Sequence, residues 1–294
     1  MKLLMENWRK FVNEQEEEQA AFKFAMNSGA EAPTNVPLTW GGAVDLKAAV
    51  QSAVAAAAKQ LYGSEDAARQ ALQAVLKVVG GEEALALNLA ALTKRMAKGP
   101  AYDLEKIPPR ADMPVLDPEQ FGEFVQRLSA GHLDTKSDFA DPSPLAEGAL
   151  DSPNFPDDMH AKSPETKKYF LTKGGRDKGG LDDEDSSVGF NQNQQIPVGK
   201  GYPTQQQIYV DKALFNMLNF GAVKGGELHG SQVIAVEAGG DYYILDGHHR
   251  WASGMLGSPS NTMKAAIISG FNNLSQPLAL LRAYGGAVGN SPRA

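Results

Sequence analysis

Tyr242-Tyr243-Ile244-Leu245 runs directly into Asp246-Gly247-His248-His249-Arg250, and then into Trp251, Ala252, Met255 and Leu256. Four largely apolar residues in a row read as a buried strand. Apolar positions three and four apart read as the core face of a short helix, which Gly257 ends. The chain must therefore pass from strand to helix at residues 246–248. That turn carries an aspartate, two histidines and an arginine. The first amides of a helix find no partner within the helix, and the aligned peptide dipoles add partial positive charge there. An anion suits such a place. Gly247 is expected to let it approach the backbone, and Arg250 to offer it a fork of donors. Two readings are open for most of these residues. Asp246 caps the helix and orients a histidine, or it holds a nucleotide's Mg2+ or acts as a base. His248 and His249 transfer protons, or they hold the turn by hydrogen bonds. Arg250 binds a phosphate or an internal carboxylate, and Trp251 reads as core.

The flanking text builds a domain around this turn. A strand is expected to begin at Ile196–Val198. A helix is expected over Asp211–Asn219, with Ala213, Leu214, Met217 and Leu218 inward. Val233–Val236 and Tyr242–Leu245 read as strands joined at Gly239-Gly240. Lys264–Ser269 reads as another strand, and Leu274, Leu278, Leu280 and Leu281 as a last helix. Residues 196–294 thus read as a small α+β domain with a mixed sheet.

The preceding residues divide into three. Residues 1–42 hold an amphipathic helix, with Leu3, Leu4, Trp8, Phe11 and Val12 on one face, followed by a linker rich in Gly, Pro, Thr and Asn over 29–42. Residues 43–99 read as three helices. The first is alanine-rich. The second is capped by Ser64 and stopped by Gly80-Gly81. The third carries Ala84, Leu85, Leu87, Leu89 and Leu92. This helical unit reads as structural or partner-binding. Residues 100–195 are punctuated by prolines and read as an irregular connecting segment, with one short helix at Pro118–Leu128. Within it, a basic cluster from Lys162 to Lys178 and the acidic run Asp182-Asp183-Glu184-Asp185 read as solvated loop.

Composition narrows the function. The net charge of −7 disfavours general attraction to nucleic acid or anionic membrane, so such contact would need a local patch. The chain has no cysteine, which excludes disulfides and thiolate chemistry. No apolar run approaches the ~20 residues of a membrane helix, and no secretory-type stretch opens the chain.

Asp246-Gly247-His248-His249-Arg250-Trp251-Ala252 after a hydrophobic strand resembles the signature of the ParB/sulfiredoxin superfamily, in its phage-encoded ParB-like nuclease-domain form. Ile196-Pro197-Val198, Pro203-Thr204-Gln205-Gln206-Gln207-Ile208 and Asp211-Lys212-Ala213 resemble the opening strand and first helix of that domain. The resemblance spans roughly residues 196–270. It implies a site at the turn: Asp246, His248 and His249 as candidate catalytic groups, and Gly247, Arg250, Thr204 and Gln205 as nucleotide or phosphate contacts. It further implies ATP, ADP or CTP with Mg2+ as cofactor, and a nucleotide or nucleic-acid phosphate as partner. Departures from the family narrow this. Sulfiredoxin chemistry needs a cysteine, which is lacking. Residues 251–294 are too few for the DNA reader that follows the domain in partition proteins. Serine kinases of this fold use a glutamate as base where this chain has Gln205, and an amide cannot accept that proton.

Met1–Phe11 also resembles the N-terminal targeting peptides of proteins packaged into tailed-phage heads, with Val12-Asn13-Glu14 as a loose cleavage pattern. The sequence-level reading is thus a phage protein of the host cytoplasm or virion that binds nucleotide or phosphate, with phosphoryl transfer or phosphodiester hydrolysis as its best chemistry. The alternative is a non-catalytic structural or packaged virion protein with a degenerate ParB-like domain.

Overall fold

The computed structural model describes residues 24–27, 29–98, 120, 189–221, 232–238, 240–269 and 274. The expected helix in residues 1–23, the charged clusters of 162–185 and the last helix beyond Leu274 lie outside them. So does the helix expected at Pro118–Leu128, apart from Gln120. In chain order the elements are β1 (Pro37–Thr39), α1 (Leu46–Ala57), α2 (Glu65–Val79), α3 (Glu82–Lys98), β2 (Gly189–Pro197), β3 (Gly201–Pro203), β4 (Gln207–Tyr209), α4 (Val210–Phe220), β5 (Val233–Ala238), β6 (Asp241–Asp246), α5 (His248–Gly257) and β7 (Thr262–Ser269). The fold is mixed α+β.

Five strands form one mixed sheet in the order β2-β7-β5-β6-β3. β2 is antiparallel to β7, β7 parallel to β5, β5 antiparallel to β6, and β6 parallel to β3. β7 is an internal strand, between β2 and β5, and is buried along most of its length, in keeping with its apolar run Ala265–Ile268. α4 and α5 pack together, α1 lies along α4, and α3 lies along α5. α4 buries Val210 and Phe215 as well as the four expected residues. A helix held between others keeps little solvent face.

The helices of residues 46–98 and the sheet share one core. It runs from Ala49, Val54 and Leu85 to Ile244, Trp251 and Ile267. The C-terminal carbonyls of α5, at Leu256 and Gly257, accept from the Asn88 carboxamide of α3 at 2.9 and 3.0 Å. Those carbonyls have no partner within their own helix, so α3 acts as their cap. Arg95 of α3 lies over the Tyr202 ring, 4.4 Å from its centroid.

The linker expected over residues 29–42 is instead a strap. β1 pairs antiparallel with β4, Leu38 opposite Ile208. Leu38 is fully buried. The amides of Val210 and Trp40 donate to Val36 and Gln206, extending that pairing. Further back, Asn219 accepts from the amide of Asn27 and donates to its carbonyl, both at 2.8 Å. The fully buried Asp211 closes the strap onto α1. Its Oδ2 accepts from the Asn35 amide at 2.9 Å and the Ser52 hydroxyl at 2.7 Å, and its Oδ1 from the Lys212 amide at 3.0 Å. Gly, Pro and Asn in this stretch suit a strand that must bend onto a neighbour as well as they suit a loose connection.

Three local details complete the helical half. Ser64 caps α2, accepting from the Ala67 amide. α1 continues into a π-helical turn, Ala58–Tyr62, which ends at left-handed Gly63. The Tyr62 hydroxyl there donates to the Leu218 carbonyl of α4. Leu87 departs from expectation. It is 67% exposed because it sits two residues from Leu85, almost opposite on the helix, where Leu85, Leu89, Leu92 and Met96 make the buried stripe.

Candidate functional site

β6 delivers the chain into α5 through Gly247, which adopts a left-handed conformation at φ +86°. Glycine is required there twice over. The backbone lies where a side chain is strained, and an added Cβ would stand 2.9 Å from Val233 Cγ1 and 3.2 Å from Arg250 Cζ. The neighbour that comes close is the protein's own guanidinium, folded back against the turn.

Arg250 then reaches across to β5. Its Nη1 donates to the Gln232 carbonyl at 2.6 Å, and its Nη2 stands 3.3 Å from Asp246 Oδ2. The Arg250 side chain is 27% exposed and that of Asp246 52%. Burial pushes the guanidinium below its ordinary value, and the neighbouring Asp246 charge opposes that shift. It stays a cation at neutral pH. Asp246 neither caps the helix, which has no side-chain cap, nor appears among the partners of either imidazole.

The two histidines turn the other way, toward the segment that follows β3. His248 is 3% exposed. Its Nε2 accepts from the Thr204 amide at 3.2 Å. The Thr204 hydroxyl lies at the same distance from that nitrogen and donates to the Ile244 carbonyl at 2.7 Å. Thr204 is fully buried, so it serves as the staple of this loop. His249 is half-buried and lies flat against Tyr209, centroids 6.1 Å apart at 12°. Its Nε2 accepts from the Tyr209 amide at 3.1 Å. In each ring Nε2 is thus the atom that accepts from a backbone amide. Gln205, half-buried, lies between these two contacts.

Trp251 is fully buried, and its Nε1 donates to the Val198 carbonyl at 3.0 Å. The space for the ring comes from Gly201, where a Cβ would stand 2.5 Å from Trp251 Nε1. Ser253 donates to the Ala213 and His249 carbonyls, tying α5 to α4.

The fold thus gathers Thr204, Gln205, Asp246, Gly247, His248, His249 and Arg250 around one helix start. The start sits at the C-terminal ends of the parallel neighbours β3 and β6. Arg250 and Asp246 stand on the β5 side, and the histidines on the Thr204–Tyr209 side. Sequence reading missed Gln232, which meets Arg250 through its backbone carbonyl, and Tyr209, which meets His249 through its backbone amide and its ring. A separate cavity of about 460 Å³ lies between residues 27–32 of the strap and α4, lined by Glu31, Lys212, Asn216 and Phe220 among others.

These features define a mixed α+β protein with a strand–turn–helix site at the carboxyl end of two parallel strands. No protein-family model, curated protein or solved structure matches the chain. Among the described residues, no helix is long and apolar enough to cross a membrane.

Proposed function

We propose that the region around residues 196–270 is a ParB/sulfiredoxin-like domain of a phage protein, binding the phosphate of a nucleotide or nucleic acid at the Asp246–Arg250 turn. The observation that carries this reading is the start of α5. It is a helix start with no side-chain cap, at the C-terminal ends of parallel β3 and β6, with a partly exposed Arg250–Asp246 pair at its rim. Such a place favours an anion through its dipole, and Arg250 can turn from Asp246 to a phosphate.

The histidine geometry supports binding over proton abstraction. Each Nε2 lone pair is engaged by a backbone amide, so neither ring is poised there as a base. Asp246 is the exposed carboxylate of the turn. It fits the role of a single protein ligand to a Mg2+ that arrives with ATP, ADP or CTP, because Mg2+ binds through one or two carboxylates together with substrate phosphates. Phosphoryl transfer or phosphodiester hydrolysis would draw on that ion and on Arg250.

Calorimetric titration with ATP, ADP and CTP, with and without Mg2+, tests the reading. Binding that Arg250→Ala weakens by about tenfold or more supports it. Failure of all three nucleotides to bind the parent protein rejects it. The second reading is a non-catalytic virion module, favoured by the internal partners that His248, His249 and Arg250 all have. Mass spectrometry of purified particles, looking for a chain that begins after Glu14, tests that one.

A further inference from the structure

We propose that the cavity of about 460 Å³ between the strap and α4 binds a small zwitterion of the α-amino-acid class with an apolar side chain. The site is separate from the start of α5 and does not rest on the phosphate-binding reading. Its volume falls within the ~300–1,000 Å³ usual for small-molecule pockets.

One wall is α4. Lys212, Asn216 and Phe220 recur every four residues and so stack along one face of that helix, about 6 Å apart at each step. The wall therefore changes along its length from cationic to amide to aromatic. The facing wall is the strap, where exposed Glu31 supplies a carboxylate between the small residues Ala30 and Ala32.

Both walls are fixed by the fold. Asn219 accepts from the Asn27 amide and donates to its carbonyl, which holds the strap to α4 beside the cavity. The backbone of Glu31 is held by Gln60 of the π-helical turn. Its amide donates to the Gln60 carboxamide oxygen, and its carbonyl accepts from the Gln60 nitrogen. The polar tips are left over. Among the described residues, the Glu31 carboxylate and the Asn216 carboxamide make no hydrogen bond or ion pair within the protein. Lys212 has a further contact of its own, and it adds positive charge to this wall whether or not it also grips a ligand.

These groups select by charge. A simple cation meets Glu31 but is repelled by Lys212, and a simple anion meets the reverse. A molecule that carries both charges satisfies each. Its ammonium donates to the Glu31 carboxylate and the Asn216 carboxamide oxygen, its carboxylate lies toward Lys212, and its side chain covers the Phe220 ring.

L-phenylalanine is the probe, with 2-phenylethylamine and 3-phenylpropionate as its cationic and anionic halves, titrated into the full chain by nitrogen-15 NMR at about pH 7, where all three hold their charges. L-phenylalanine should give saturable shifts at the amides of Glu31, Asn216 and Phe220. Each half should bind roughly threefold to tenfold more weakly, because it lacks one of the two charged contacts. Glu31→Gln should weaken L-phenylalanine by a similar factor and leave 3-phenylpropionate no weaker. Its melting temperature should match the parent's, since the carboxylate has no internal partner. A Glu31→Gln protein that binds L-phenylalanine as tightly as the parent, or either half binding as tightly as L-phenylalanine, overturns the zwitterion class. No saturable shift with L-phenylalanine or L-leucine, or shifts confined to residues outside the strap and α4, overturns the site. Nucleotide binding is read at the amides of residues 247–250, so failure of either site is distinguishable from failure of the other.

Discussion

The imidazole of His248 and the backbone of Thr204, 44 residues apart in the chain, are joined by a 3.2 Å hydrogen bond that His248 Nε2 accepts. A side chain that the sequence leaves open between proton transfer and holding the turn is here a clasp between a helix start and the loop after β3. His248→Ala leaves the buried Thr204 amide without its acceptor. We expect a loss of about 1–3 kcal/mol in stability by denaturant unfolding. An alanine variant as stable as the parent would show that the clasp is dispensable.

Gly247→Ala tests the turn itself. The φ of +86° and the 2.9 Å approach to Val233 Cγ1 act together. The strained backbone alone should cost about 1–2 kcal/mol, and the crowding more. On the proposed phosphate-binding reading, the added methyl also presses on the Arg250 guanidinium, and nucleotide affinity should fall with stability. Melting temperature and calorimetry on the same preparation check both.

Asp211→Ala removes the acceptor shared by Asn35, Ser52 and the Lys212 amide. With the fully buried acceptor removed from three part-buried hydrogen bonds, the cost should be about 1–3 kcal/mol. The strap should loosen first. Hydrogen exchange is expected to accelerate at Val210 and Trp40, whose amides hold the β1–β4 pairing. Unchanged exchange there would argue that the strap is held by its apolar contacts alone.

Tyr62 and Tyr243 are expected to ionise late in alkali. Burial raises both above the ordinary value of 10.0. A backbone hydrogen bond involving Ala25 partly opposes this at Tyr62, while the charges of Asp241 and Tyr202 add to it at Tyr243. The folded protein favours the neutral phenol. Its contribution to stability is therefore fully present below the unfolded value and lost as pH rises through the folded one. Absorbance titration should show a late phase from these two phenols above the ordinary tyrosine value, and that phase should vanish in denaturant.

Much of the strand and helix pattern was legible in advance. The apolar runs at 242–245 and 264–268 became β6 and β7, and the spacing of Trp251, Ala252, Met255 and Leu256 became the buried face of α5. Ser64 capped its helix as its residue type suggests. The candidate site was legible as a cluster, since strand, turn and helix are contiguous in sequence. The direction in which each side chain turns was not. Nor was the strap, because the pairing of residues 37–39 with 207–209 depends on a partner far along the chain.

Local chemistry therefore settled which residues of this protein share the turn: alternation, capping and glycine conformation act over a few residues, and the sequence holds all the information they need. Tertiary structure decided what those residues do there. His248, His249 and Arg250 take their hydrogen-bond partners from Thr204, Tyr209 and Gln232, residues brought alongside only when the sheet closes and α5 docks on α4. A backbone amide or carbonyl is the same at every position, so no pattern in the sequence marks which one an imidazole or a guanidinium will meet.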